Sequence, residues 1–140
     1  MLLAVAGGVA IAAYLQVGER PYYPVATVST PGGLTYTAFS EETRGREACN
    51  EANQRFVADF RAGCADCAVT YERCESKADA LKLRVAFSGP VVLSRGVSLG
   101  VAGPRELSVA ACQQIVKDLA QRGVQGRCLK SGSEPDYPKK

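Results

Sequence analysis

The residues of this sequence with the clearest chemical potential are its six cysteines, at positions 49, 64, 67, 74, 112 and 128. In a chain of 140 residues such an even set reads as a disulfide framework. A short domain buries a small core, and each bridge adds about 2–4 kcal/mol in an oxidising compartment. Cys64-Ala65-Asp66-Cys67 also has the spacing of a dithiol that exchanges disulfides, and four cysteine thiolates suffice to hold zinc. The motif follows a helix and precedes a strand, so no helix N-terminus lowers a thiolate pKa there. Structural staples are the first reading, with thiol–disulfide oxidoreductase chemistry at Cys64 and Cys67 and a four-thiolate metal site as alternatives.

The chain contains no histidine, which removes imidazole bases, Cys-His and Ser-His-Asp catalysis and mixed Cys/His zinc sites. Glu41, Glu42, Glu47, Glu51 and Asp59 cluster near the first expected helix, where capping and solvation account for them. The expectation is a protein that is not an enzyme, with no cofactor and no resident metal. The net charge of +3 comes from scattered basic residues, without the basic stripe that nucleic-acid binding requires.

Residues 1–17 carry no charged side chain and end at Gly18-Glu19-Arg20-Pro21. As a helix they span about 25 Å, close to the roughly 30 Å hydrocarbon core of a bilayer. A single-pass anchor over residues 1–18 is expected, with a cleaved signal peptide as the rival, since Ala10-Ile11-Ala12 has small-residue spacing. The downstream cysteines place the rest of the chain outside the cytoplasm. Residues 19–32, with Pro21, Pro24 and Pro31-Gly32-Gly33, read as a linker, and residues 131–140 as a flexible tail.

Between them, residues 33–130 read as one disulfide-bonded α+β domain. Gly33 to Phe39 has strand character, Ser40-Glu41-Glu42 suits a helix start, and Cys49, Ala52, Phe56 and Phe60 form one apolar helix face ending at Gly63. The layout recurs at an offset of 63 residues. Gly96 to Ala102 is a strand, Pro104 opens a helix, Cys49 maps onto Cys112, Ala52 onto Ile115 and Phe56 onto Leu119, and Gly123 closes the helix. Val124 to Lys130 forms a final strand. Leu81 to Phe87 has strand character and pairs as a hairpin with Val91-Val92-Leu93. The pattern predicts a ferredoxin-like tandem β-α-β repeat, two helices on one antiparallel sheet.

Cys112 lies about 15 Å back from its helix end and Cys128 about 16 Å into the returning strand, so the two sulfurs meet. The same geometry in the first half, where Cys49 lies about 20 Å from its helix end, selects Cys67 over Cys74. The expected pairs are Cys49–Cys67, Cys64–Cys74 and Cys112–Cys128.

Gly96-Val97-Ser98-Leu99-Gly100-Val101-Ala102-Gly103-Pro104, followed by a helix with Ala111, Leu119 and Gly123, resembles a half-repeat of SPOR domains. The likeness covers residues 33–130. It implies tandem β-α-β modules tethered to the inner membrane that bind peptidoglycan glycan strands in the periplasm, with Tyr36 and Tyr71 as the candidate glycan-stacking residues. The cysteine layout and apolar start also look like small membrane-anchored proteins of bacterial surface-polysaccharide biosynthesis. Together these readings predict a non-catalytic binding or scaffold module of the cell envelope. The expectation is a single-pass bacterial inner-membrane protein with its domain in the periplasm, whose expected partners are the membrane and an envelope protein, with a peptidoglycan glycan as the alternative and no nucleic acid.

Overall fold

The computed structural model describes residues 20–135. In chain order the elements are β1 (Pro21–Ser29), β2 (Thr35–Phe39), β3 (Thr43–Arg44), α1 (Arg46–Ala62), β4 (Ala68–Glu75), α2 (Lys77–Ala86), β5 (Val91–Ser94), β6 (Val97–Ala102), α3 (Arg105–Gln121) and β7 (Arg127–Leu129). The expected anchor, residues 1–18, lies outside the described residues.

The strands form one antiparallel sheet in the order β4-β1-β2-β6-β5-β7, with the short β3 pairing the first two residues of β1, ahead of the β1–β2 ladder. Each half is a hairpin, a helix and a strand that returns beside the hairpin's first strand: β1-β2-α1-β4 and β5-β6-α3-β7. The halves meet where β2 pairs antiparallel with β6, Thr35 opposite Ala102 through Phe39 opposite Ser98.

The α+β class and the antiparallel sheet match the expectation, while the ferredoxin-like arrangement of two helices does not. Each half carries its own intervening strand, β1 or β5, and a third helix lies between the halves. In a split β-α-β unit the gap between the two parallel strands must be filled, and here each half fills its own gap.

Residues 21–29, expected as linker, are the strand β1. Its prolines fall where few ladder bonds are lost: Pro21 opens the strand, and Pro24 precedes the first pair with β2 while its carbonyl accepts from the Ser40 N–H at 3.1 Å. Val25, Ala26 and Val28 are buried, so this strand is the core of the first half.

Leu81 to Phe87 is not a strand. Its alternation of Leu81, Leu83, Val85 and Phe87 mimics a period of two, but Ser76 accepts a hydrogen bond from the Asp79 N–H at 3.2 Å and caps α2 in its place. Val91 to Ser94 therefore pairs with β6 and β7. The first long helix begins at Arg46, later than Ser40, because Thr43–Arg44 adds to the sheet and Gly45, at φ 89°, turns the chain into α1. Part of the expected tail also packs: Gly132 is buried and its N–H donates to the Phe87 carbonyl at 2.8 Å.

Cross-strand register separates the two faces of the sheet. Ala26, Ala38, Val92 and Val101 lie on the face bridged to α1 and α3 by Cys49–Cys74 and Cys112–Cys128. Val25, Thr37, Phe39, Gly100 and Val91 lie on the other, where α2 and Phe87 pack.

All six cysteines form bridges, but two of the three expected pairings are corrected. Cys49 joins Cys74, Cys64 joins Cys67, and Cys112 joins Cys128 as expected. Cys74 sits opposite Pro24 in the β1–β4 ladder, which brings it under α1 with a Cα–Cα distance of 6.0 Å to Cys49. Cys67 falls before β4 begins and is too close to the helix end to reach Cys49, so it closes on Cys64 across the turn, where its N–H also donates to the Cys64 carbonyl.

Candidate functional site

The start of β1, the two residues of β3 and the first turn of α1 enclose an open groove of about 630 Å³. The pairing of Pro21 with Arg44 and of Tyr22 with Thr43 holds β3 against β1. The Thr43 hydroxyl adds a hydrogen bond to the Tyr22 carbonyl at 3.0 Å, and the Gly45 N–H donates to the Arg20 carbonyl at 3.0 Å. These contacts converge Arg20, Arg44 and Arg46 on one groove, with the Arg46 guanidinium 5.3 Å from the Tyr22 ring centroid.

The helix end adds to this field. Gly45 provides no side-chain cap, so no capping oxygen accepts from the first N–H groups of α1, whose first turn lines the groove at Arg46, Glu47 and Ala48. Glu47 and Glu51 form the remaining wall. Among the described residues, none of the three guanidinium groups is engaged in an ion pair. Three planar fork donors with free hydrogen-bonding capacity suit a phosphate or carboxylate oxyanion. No motif in the sequence marks these arginines, because Arg20 precedes β1, Arg44 lies in β3 and Arg46 opens α1, and the β1–β3 pairing brings them together.

A second groove of about 540 Å³ lies at the N-terminal end of α3, between Arg105, Gln113, Lys130 and the Cys112–Cys128 bridge. On the opposite face, Tyr23, Phe39, Leu81 and Leu93 line a shallower groove of about 300 Å³ beside α2. Leu81 and Val85, one turn apart on α2, are 60 % and 51 % exposed.

Tyr36 and Tyr71 do not share a surface. Tyr36 packs against Phe60 of α1 at 5.1 Å between centroids, and burial raises its pKa above the ordinary tyrosine value. Tyr71 pairs with Thr27 on the face covered by α2, donates to the Glu75 carboxylate, and has the Arg73 guanidinium 5.6 Å from its ring centroid. Burial first, and then the hydrogen bond to Glu75, raises its pKa as well. One glycan cannot stack on both rings.

Cys64 and Cys67 are brought together, as a redox dithiol requires. Cys67 is 3 % exposed and Cys64 is half-buried at the C-terminal end of α1, where the helix dipole opposes a thiolate. With every cysteine in a disulfide, no thiolate set remains for a metal, and among the described residues no group of three or more His, Cys, Asp or Glu could hold one. No helix among the described residues is long and apolar enough to cross a membrane. No family model, curated protein or solved structure matches this chain.

Proposed function

We propose that this chain is a non-catalytic binding module of the bacterial envelope, tethered to the inner membrane through residues 1–18 and carrying its disulfide-bonded domain in the periplasm as a scaffold for surface-polysaccharide assembly. The observation that carries the reading is the closure of all six cysteines into three bridges. Three bridges in a domain this small persist in an oxidising compartment and are reduced in the cytosol. The uncharged stretch that ends three residues before Arg20 supplies the tether, and the arginine groove supplies a binding surface close to it.

Topology reporters test this reading. A reporter active only outside the cytoplasm, fused after Lys140, should be active, and a reporter active only in the cytoplasm should be silent at the same position. The reverse result would return the cysteines to reduced chemistry and remove the envelope assignment. Crosslinking in native membranes with mass spectrometry then identifies the protein partner.

One observation favours a second reading. The Cys64–Cys67 pairing is the one a thiol–disulfide oxidoreductase uses. Its position at a helix C-terminus disfavours the attacking thiolate, so the expected result of an insulin-reduction assay is no turnover above background. Turnover abolished by Cys64→Ser would replace the scaffold reading with the enzymatic one.

A further inference from the structure

We infer that the groove formed by Arg20, Arg44 and Arg46 binds the phosphodiester headgroup of an anionic glycerophospholipid at the surface of the membrane that residues 1–18 enter. The inference rests on the anchor reading above and assigns a ligand to the site beside it.

Reach carries the argument. Arg20 is three residues beyond Val17, the last residue of the apolar stretch. Three residues span at most about 10 Å, and the headgroup layer on each side of the hydrocarbon core is about 5–8 Å thick. An anchored chain therefore keeps Arg20 within about 10 Å of the hydrocarbon boundary, in the headgroup layer or just beyond it. Arg44 sits opposite Pro21 in the ladder and Arg46 stacks over Tyr22, so both are fixed to the same end of β1 and cannot lie far from that plane.

Chemistry narrows the ligand. Among the described residues the three guanidinium groups make no ion pair, and all three residues are exposed. The first turn of α1 has no side-chain cap, and Tyr22, under the Arg46 guanidinium, is an amphipathic ring of the kind enriched at membrane interfaces. Glu47 and Glu51 reduce the local excess to one positive charge and repel a carboxylate-rich polyanion more than a single phosphodiester. A headgroup anion held in the bilayer pays little translational entropy to reach a groove already at its surface.

The test uses the full chain reconstituted in phosphatidylcholine nanodiscs containing a minor fraction of phosphatidylglycerol. The phosphatidylglycerol retained on the protein is counted by native mass spectrometry. One net charge at the surface predicts about fivefold enrichment over the bulk lipid, declining as salt is raised. The R20Q/R44Q/R46Q variant should fall to the bulk ratio, whereas R95Q/K117Q/R122Q, which removes three exposed charges elsewhere, should remain enriched.

Retained enrichment in the first variant, or equal loss in the second, would overturn the inference. So would displacement of the lipid by millimolar glycerophosphate, which would identify a soluble phosphate as the ligand. Resistance to alkaline carbonate extraction, measured on the same proteins in native membranes, reports on residues 1–18 alone. Its loss would refute the anchor without bearing on the lipid count.

Discussion

The ring of Phe87 occupies the space that a side chain on Gly100 would fill: an ideal Cβ on Gly100 falls 2.6 Å from Cζ and 2.7 Å from Cε1 of that ring. Phe87 also meets Phe39 edge-on at 6.0 Å between centroids, so α2 is pinned to the sheet across the junction of the two halves. Gly100→Ala should cost about 1–3 kcal/mol through overpacking. In the Phe87→Ala background the same change should cost much less, because the neighbour that it strikes is gone. Thermal denaturation of the two single variants and the double variant measures this coupling, and additive losses would refute it.

The bridges should differ in weight. Loop closure predicts about 3.5 kcal/mol for Cys49–Cys74, about 3 for Cys112–Cys128 and about 2 for Cys64–Cys67, following their sequence separations of 25, 16 and 3. Paired Cys→Ser variants should lose melting temperature in that order. Peptide mapping without reductant should recover these three connectivities, and a Cys49–Cys67 peptide would contradict the observed fold.

Asn53 is a buried polar residue of α1, 3 % exposed, and its side-chain amide donates to the Arg73 carbonyl at 2.9 Å. Asn53→Ala leaves that carbonyl without this donor and should cost about 1–3 kcal/mol. Hydrogen exchange should accelerate along β4 more than along β7.

Alkaline pH should destabilise the domain. Tyr36 and Tyr71 have folded pKa values above the ordinary 10.0, so the fold favours the neutral phenol. That contribution is fully present below the unfolded pKa and is lost as pH rises through the folded one. In an ultraviolet titration two tyrosines should ionise late, and Tyr36→Phe should remove one late phase and flatten the alkaline loss of stability.

The long helices were legible because their apolar spacing and terminal glycines are local signals: Cys49, Ala52, Phe56 and Phe60 share a face, and Gly63 and Gly123 stand at the ends. The cysteine repeat correctly paired Cys112 with Cys128. It failed in the first half because Cys74 approaches Cys49 only when β4 lies beside β1, and the prolines of β1 disguised that strand as a linker. For α2, the Ser76 cap outweighed an alternating pattern that has no facing strand to pair with. The arginine groove left no sequence signature, since residues 20, 44 and 46 converge through a two-residue strand whose existence depends on the position of β1.

The division of the sheet into two self-completing halves has a covalent counterpart. Cys49–Cys74 and Cys64–Cys67 close within the first half, and Cys112–Cys128 closes within the second. No disulfide among the described residues spans the junction at β2 and β6, so residues 76–90 are the one covalent thread between the two halves. A single proteolytic nick in that thread would convert the domain into a noncovalent heterodimer. Its fragments would stay associated through the β2–β6 ladder and separate in denaturant without any reductant.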